Sequence, residues 1–512
     1  MNRQNAAPML NAYPDSLGGT LGDIVRFLKR PELEGAFGSF YILPSLYNSD
    51  LDRGFSVKDY GLNEQLATKA DLDALKSLGI DLKLDFILNH ASVLSEQFQD
   101  ILKKGDASKY KDFFIDWNRF WQGYGEMTEE GYIQPYPQLI KDMFFRKPGL
   151  PLLMVSFPDG RRVPYWNTFY QEVRYENGKY NYLGQMDLNI KSPLVWDFYE
   201  ETLKTLSGYG ASLVRLDAFA YAPKEPGRKN FLNEPETWEL LERVRKLADK
   251  YGLALLPEIH ASYEEKTYEK IAKQGYMTYD FFLPGLIIDA LERKTGNVLA
   301  SWAKELKDKD IKTVNMLGSH DGIPLLDLKG LLDEEQIQSL IDTIVSRGGL
   351  VKDLHGQKNV YYQVNATYFS ALGEDERKLL LARAIQLFMP GKPQIWYLDL
   401  FAGKNDYEAV SKVGTGGHKE INRTNLSLKQ AEDLLGQGIV NNQLKLLKFR
   451  NSFPAFGFDS RLEVTADEKG KLLFQWEKDH YKAQLIADLK DCSFSVTGTD
   501  PKGTLLFSLN NI

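Results

Sequence analysis

Short apolar runs recur along the chain, and eight of them read as buried strands. They lie at 8–13 (PMLNAY), 38–44 (GSFYILP), 81–88 (DLKLDFIL), 211–217 (ASLVRLD), 253–259 (LALLPEI), 277–283 (MTYDFFL), 312–318 (KTVNMLG) and 393–399 (PQIWYLD). Runs of this length, apolar on both faces, suit parallel strands that are covered on both sides. Between most of them sit segments of helical period, such as 68–79, 194–208, 234–251 and 374–388. Eight strands with helical crossovers predict an α/β fold, a (β/α)8 TIM barrel. Two intervals are too long for one crossover. Residues 91–185, rich in Tyr, Trp, Gly and Pro, follow the third run, and 322–373 follow the seventh. Each reads as an inserted loop subdomain, leaving 1–90, 186–321 and 374–450 for the barrel. Past 450 the texture turns to alternation, as in 460–465, 471–477 and 481–488. That predicts a C-terminal antiparallel β domain over 451–512.

Composition narrows the partners. With 43% hydrophobic and 26% charged residues the chain has the make-up of an ordinary globular protein. A formal charge of −7 lacks the basic footprint of a nucleic-acid binder, although a local cationic pocket for a small anion remains compatible with it. The lone cysteine, Cys492, cannot close an intrachain disulfide. The first residues carry no apolar stretch of signal-peptide length, and no later run approaches the roughly 20 apolar residues of a membrane helix. A cytoplasmic location without membrane partners is therefore expected.

Polar chemistry gathers at strand ends. Asp85 to His90 (DFILNH) ends the third run, Arg215-Leu216-Asp217 the fourth and Glu258-Ile259-His260 the fifth, while Ser319-His320-Asp321 follows the seventh. Taken singly, a strand-end Asp more often caps a helix or pairs with an Arg. Four such ends on the face where barrel enzymes place their sites point to chemistry. Cleavage of a glycosidic bond explains these residue types. It needs one nucleophilic and one protonated carboxyl group, about 5–5.5 Å apart in a retaining enzyme. Asp217 and Glu258 lie on neighbouring strands and can meet that separation. Arg215, two residues before Asp217, shares its face and would keep it ionised. Glu258 would need a partly desolvated setting to hold its proton.

The segments DFILNH, VRLDA, LLPEIH and LGSHD, in this order across residues 85–321, resemble the sequence regions of the α-amylase family. By that resemblance Asp217 is the nucleophile, Glu258 the general acid/base and Asp321 the third, transition-state-stabilising carboxylate, with His90, Arg215 and His320 lining the glucose subsite. A closer resemblance spans nearly the whole chain. YPDSLGGTL, DRGFS, SKYKDFF, KPGLP, QMDLN, RLDAFAYAPKE, SHDGI, YYQVNATYFSALG, FAGKND and EINR are similar to sucrose phosphorylases and their relatives. It implies that Asp52 and Arg423 hold the glucosyl unit, and that Phe55 and Phe169 line its apolar face. Tyr221, His260, Tyr362 and Gln363 would surround the acceptor. The implied reaction is a double displacement: a glucosyl-enzyme on Asp217, then attack by inorganic phosphate to give α-D-glucose 1-phosphate with retention. Arg146-Lys147, before PGLP, is the local candidate for holding phosphate, with Lys147 at the position of interest.

Several departures fall on the acceptor side. Lys147 stands where sucrose phosphorylases usually carry Arg, Asn359-Val360 lacks their Asp, Pro324 replaces a common Gly, and Gly416-Gly417-His418-Lys419 adds basic charge. The glucosyl specificity is thus expected to hold while the leaving group is open: fructose, fructose 6-phosphate, glycerol or glycerate. The rival enzymatic reading is a hydrolytic α-glucosidase or transglucosidase; an inactive sugar-binding barrel ranks low, because all three carboxylates are present. Asp85 and Asn89 lie where many amylases bind calcium. The phosphorylase resemblance and the absence of a carboxylate cluster in 91–185 argue for no metal and no cofactor. The six histidines show no metal-ligand spacing. The resemblance allows a homodimer as well as a monomer.

Overall fold

Eight parallel strands make one sheet: β1 (Met9–Ala12), β2 (Ser39–Ile42), β3 (Asp81–Ile87), β4 (Ala211–Asp217), β5 (Ala254–Pro257), β6 (Thr278–Asp280), β7 (Thr313–Met316) and β8 (Lys392–Trp396). The structure is a computed structural model that describes residues 6–353, 361–414 and 417–511. Each strand lies inside one of the eight apolar runs or within a residue of it. The ladders join neighbours from β1 to β5 and from β6 to β8, and β8 pairs with β1. β5 and β6 lie against each other without a shared ladder, so the barrel is nearly closed.

The helices begin where local chemistry starts them. Thr20 and Thr68 each form a capping box with an Asp three residues on, opening Leu21–Leu28 and Lys69–Ser77, and Pro193 occupies the first turn of Pro193–Gly208. The helices Glu236–Asp249 and Glu376–Phe388 fall where the helical period placed them.

The stretch between β3 and β4 carries small antiparallel sheets, one of which pairs Lys179–Asp187 with His90–Ser92. It has its own apolar cluster of Ile115, Trp117, Trp121, Ile133 and Trp166. Between β7 and β8 the helix Glu334–Ser346 accompanies a sheet of Ile323–Pro324, Tyr361–Asn365 and Leu350–Asp353. The chain ends in a five-stranded antiparallel meander: β9 (Arg461–Ala466), β10 (Lys471–Lys478), β11 (Tyr481–Asp488), β12 (Ser493–Thr499) and β13 (Leu505–Asn510). Trp476 ties it to the barrel by donating to the Phe388 carbonyl at 2.8 Å. Among the described residues no helix is long and apolar enough to cross a membrane.

Candidate active site

Register sets the centre. The β3–β4 ladder puts Arg215 beside Asp85 and Asp217 beside Ile87, so Arg215 and Asp217 share the inner face at the carboxyl end of β4. Glu258 follows β5, and its N–H donates to the Leu216 carbonyl at 3.2 Å. The Arg215 guanidinium then serves three carboxylates. Its Nη1 donates to Asp85 Oδ1 and to Asp217 Oδ1, each at 2.7 Å, and its Nη2 lies 3.3 Å from Glu258 Oε1. Tyr41 donates to the other oxygen of Asp85 at 2.7 Å. The Ala218 N–H points at Glu258 Oε2 at 3.3 Å, from a residue held at φ 52°. The two carboxyl groups that the sequence singles out thus meet on one planar cation.

Their proton affinities are set by what surrounds them. Burial drives the Asp217 carboxyl up, Arg215 opposes it and the Glu258 charge adds to it, leaving it at about 7. Burial would also raise Glu258, but Arg215 and then His260 outweigh it and hold the carboxyl at about 2. Burial and mutual repulsion therefore make the unliganded pair share one proton up to near-neutral pH.

A second charged group lies beside the first. Lys419 Nζ donates to Asp321 Oδ1 at 2.7 Å and stands 3.9 Å from Asp52 Oδ2. Arg423 reaches Asp52 Oδ1 and Glu420 Oε1, each at 3.3 Å. Against burial, which would raise them, His320 and Lys419 keep Asp321 ionised, and Lys419 and Arg423 keep Asp52 so. The loop carrying Asp52 is tight: Asp52 and Arg53 sit at φ 47° and 48° and Gly54 at 112°. A Cβ on Gly54 would overlap the backbone of Pro44 and Ser45, so only glycine fits there.

Rings complete the walls. Phe55 stacks on His320 with centroids 5.0 Å apart, and the His90 ring donates from Nε2 to the Phe55 carbonyl at 3.0 Å. Phe169 packs against His90 at 5.1 Å and Tyr221 at 5.3 Å. His260 lies flat on Phe281 with centroids 3.9 Å apart. One cavity joins Arg215, Glu258, His260, His320, Asp321, Pro324 and Gln363, floored by Tyr41, Tyr279 and Gln394. Of the sequence candidates, the structure thus brings together Asp52, Phe55, His90, Phe169, Arg215, Asp217, Tyr221, Glu258, His260, His320, Asp321, Gln363 and Arg423. Tyr362 falls in the strand Tyr361–Asn365, but its side chain lies outside the described residues, as do Asn359, Val360 and Gly416.

Two expectations change. The Lys147 ammonium is spent on Asn167 Oδ1, and its burial lowers it to about 7, so this side chain is not offered to the cavity. Its neighbour Arg146 instead lies over Phe169 and Tyr221, 5.6 and 5.5 Å from the ring centroids. The chain bends at these two residues and sends their side chains to different neighbours. Lys419, expected to add charge near the acceptor, pairs with the third carboxylate and with Asp52. Beside Asn89, Lys224 Nζ lies 2.8 Å from Asp187 Oδ2 and 3.3 Å from Asn89 Oδ1, a buried ion pair joining the barrel to the β3–β4 stretch. Among the described residues no three acidic, His or Cys side chains converge as metal ligands.

The family described as alpha amylase, catalytic domain, matches residues 36–330. The chain belongs to the α-amylase family. Within that family it is 54% identical over 498 residues to a sucrose 6(F)-phosphate phosphorylase of Ilumatobacter coccineus, covering 96% of this chain and 95% of that one. It is 34% identical to a sucrose phosphorylase of Streptococcus mutans, with 96% and 97% covered. The crystal structure of a sucrose 6F-phosphate phosphorylase from Thermoanaerobacter thermosaccharolyticum superposes with a TM-score of 0.88, covering 99% of this chain and 97% of that one at 34% identity. This α-amylase-family chain is thus sucrose-phosphorylase-like.

Sequence reasoning missed Asp327 and Tyr41. Asp327 sits in the short turn Leu326–Leu328 and reaches His260 from the β7–β8 stretch. Its contact joins residues far apart in the chain, and no local pattern announces it. Tyr41 was legible only as a core residue of the second apolar run.

Proposed function

We propose that the protein is a retaining α-glucoside phosphorylase that transfers the glucosyl unit of sucrose 6F-phosphate to inorganic phosphate, giving α-D-glucose 1-phosphate and fructose 6-phosphate. The observation that carries the retaining chemistry is the single Arg215 guanidinium that engages both Asp217 and Glu258. Asp217 attacks the anomeric carbon while Glu258 protonates the departing oxygen; phosphate then opens the glucosyl-enzyme from the same side as the first leaving group. Asp52, Asp321, His320 and Arg423 hold the glucosyl hydroxyls, and Phe55 and Phe169 shape its apolar surroundings. Tyr221, His260 and Gln363 face the acceptor, and the resemblance to sucrose phosphorylases adds Tyr362 to them. Among the cations, Arg146 rather than Lys147 is the one directed at an anionic group, through its position over Tyr221.

The choice of a phosphorylated leaving group rests on the 54% relative and on the acceptor-side departures, Pro324 in the cavity wall among them. In this reading 91–185 and 322–373 are subdomains that wall a site built on the barrel of 1–90, 186–321 and 374–450, and 451–512 is a separate β domain. Initial rates on sucrose 6F-phosphate and on sucrose, each with and without phosphate, test the proposal. Glucose 1-phosphate should form faster from the phosphorylated sugar. A preference for plain sucrose would move the assignment to sucrose phosphorylase, and equal consumption without phosphate, releasing glucose, would refute phosphorolysis.

A further inference from the structure

We infer that the recess between the amino end of the barrel and the C-terminal β sheet is an anion site of its own, which takes a small inorganic oxyanion such as phosphate. From the barrel side it is lined by Lys312 just before β7, by Pro390 and Gly391 just before β8, and by Arg450 near the end of the helix Gly438–Ser452. Phe458 and, on β10, Trp476 close it from the other side. Strands β7 and β8 start here, whereas Asp217 ends its strand and Glu258 and Asp321 follow theirs. The recess and the carboxylate site thus lie at opposite ends of the barrel.

The buried cation is Arg450. It is 3% exposed, and of its three nitrogens only Nη2 has a protein acceptor, the Gly391 carbonyl at 2.7 Å. Nε and Nη1 are buried with none among the described residues. The guanidinium lies over Phe456 and Trp476, 4.6 and 5.6 Å from the ring centroids. Those rings take up the faces of the plane, while its N–H groups point out from the edge. Burial alone acts on its proton affinity, lowering it to about 9 with no carboxylate in reach to oppose it, so at neutral pH it stays a cation without a counter-charge. A buried charge of that kind is costly until it is paired.

Its neighbours are donors too. Ser460, buried, carries a hydroxyl with no partner among the described residues, 3.1 Å from where a side chain on Gly457, at the rim of the recess, would begin. Lys307 lines the recess with its amine on the Phe458 carbonyl at 2.9 Å, and Lys312 lies over the Phe458 ring. Among the described residues the one acid in the lining is Asp310, and it is exposed, where water and salt screen it. Asp459, close by, is taken up by Lys478 at 2.8 Å. A guanidinium edge, a hydroxyl and two amines all have hydrogens to give. A group that only accepts and carries negative charge completes such a set, and an oxyanion meets several of these donors at once. Held there it touches the barrel and the β sheet together, so its effect falls on their seam and not on the chemistry at the other end.

The test is a thermal melt of the full chain against sodium phosphate and against sodium sulfate, at constant ionic strength with gluconate as the balancing anion. Either oxyanion should raise the wild-type Tm along a saturating curve, and Arg450→Met and Lys312→Met should each lose about half or more of that rise. Both variants should keep the wild-type KM for phosphate in glucosyl transfer, because the recess is remote from the carboxylate site. An equal rise in all three proteins, or one that climbs without saturating, would mean an adventitious ion only and overturn the inference. So would a phosphate KM that rises in step with the lost stabilisation, since it would put the anion at the other end. Should Arg450→Met fail to fold, wild-type crystals soaked in selenate decide: a selenium anomalous peak against Arg450 supports the inference, and a recess that stays without one refutes it. A wild type that forms no glucose 1-phosphate would instead strike the proposed function and leave the melts to judge this site alone.

Discussion

Replacing Arg215 by Lys tests whether one guanidinium organises the chemistry. The arginine reaches Asp85 and Asp217 at 2.7 Å and Glu258 at 3.3 Å from two nitrogens of one rigid plane. A lysine offers a single nitrogen on a flexible stem and cannot span the same three oxygens. Its positive charge stays, so the loss is that of about two charge-assisted hydrogen bonds, each worth about 1.5–3 kcal/mol in a buried setting. The sum, about 3–6 kcal/mol, corresponds to a drop of about 10²–10⁴ in kcat/KM. A pH effect comes with it. Burial raises Asp217 to about 7 even with Arg215 opposing. With the fork gone its proton is held more tightly, and the ionised nucleophile forms only at higher pH. The acidic limb of kcat/KM should therefore move up. Initial rates of glucose 1-phosphate formation across the pH range, with a thermal melt to confirm folding, measure both. Activity within tenfold of wild type, or an acidic limb that stays or moves down, would refute the reasoning.

Two further substitutions probe the frame. Gly54→Ala puts a side chain at φ 112° against the Ser45 backbone, so a thermal melt should show a loss of at least about 2 kcal/mol, with KM rising because Asp52 shares the turn; an unchanged melt and KM would mean that the loop is free to relax. Lys224→Met leaves Asp187 buried and unpaired and should cost about 3–5 kcal/mol in urea unfolding. Adding Asp187→Asn should recover part of it, and additive losses would show that the pair does not act as one.

The barrel was legible because its strands are continuous apolar runs, a pattern with few other uses in a soluble chain. All eight runs hold a barrel strand; β4 fills its run and the other seven are shorter than theirs, since a ladder stops where the chain turns into a loop. In the C-terminal sheet, β12 and β13 escaped. β12 (SFSVTGT) has small, weakly apolar residues, and β13 is an exposed edge with Leu505 and Leu506 each 57% exposed. The meeting of Asp217 and Glu258 on Arg215 was readable for the same reason as the barrel: residues at strand ends inherit a known place. Loop residues inherit none. Lys147 and Arg146 are equivalent by position, and only the backbone direction around them decides that Arg146 meets Tyr221. Asp327 has an ordinary helix-turn setting, and its partner lies 67 residues away.

Charge is divided unevenly between the two halves of the site, and this bears on how it can work. Around Asp52 and Asp321, Lys419 and Arg423 supply two cations, with Glu420 as a further partner of Arg423. That half is close to neutral and suits the uncharged hydroxyls of a sugar, provided that a hydroxyl displaces Lys419 from Asp321. Asp85, Asp217 and Glu258 share Arg215, and the His260 ring beside Glu258 is itself balanced by Asp327. The amine of Lys83 lies beneath them, but burial drives it well below its ordinary range, so it adds no dependable cation. A buried cluster with surplus negative charge must hold a proton at rest or take up positive charge from what binds. An oxocarbenium-like transition state brings that charge to the anomeric carbon, between Asp217 and Glu258. Fixed carboxylates in a low-dielectric site then stabilise the transition state more than the neutral ground state, and no solvent has to reorganise. The imbalance that raises the Asp217 carboxyl in the empty site is thus the same one that favours glycosyl transfer in the occupied one.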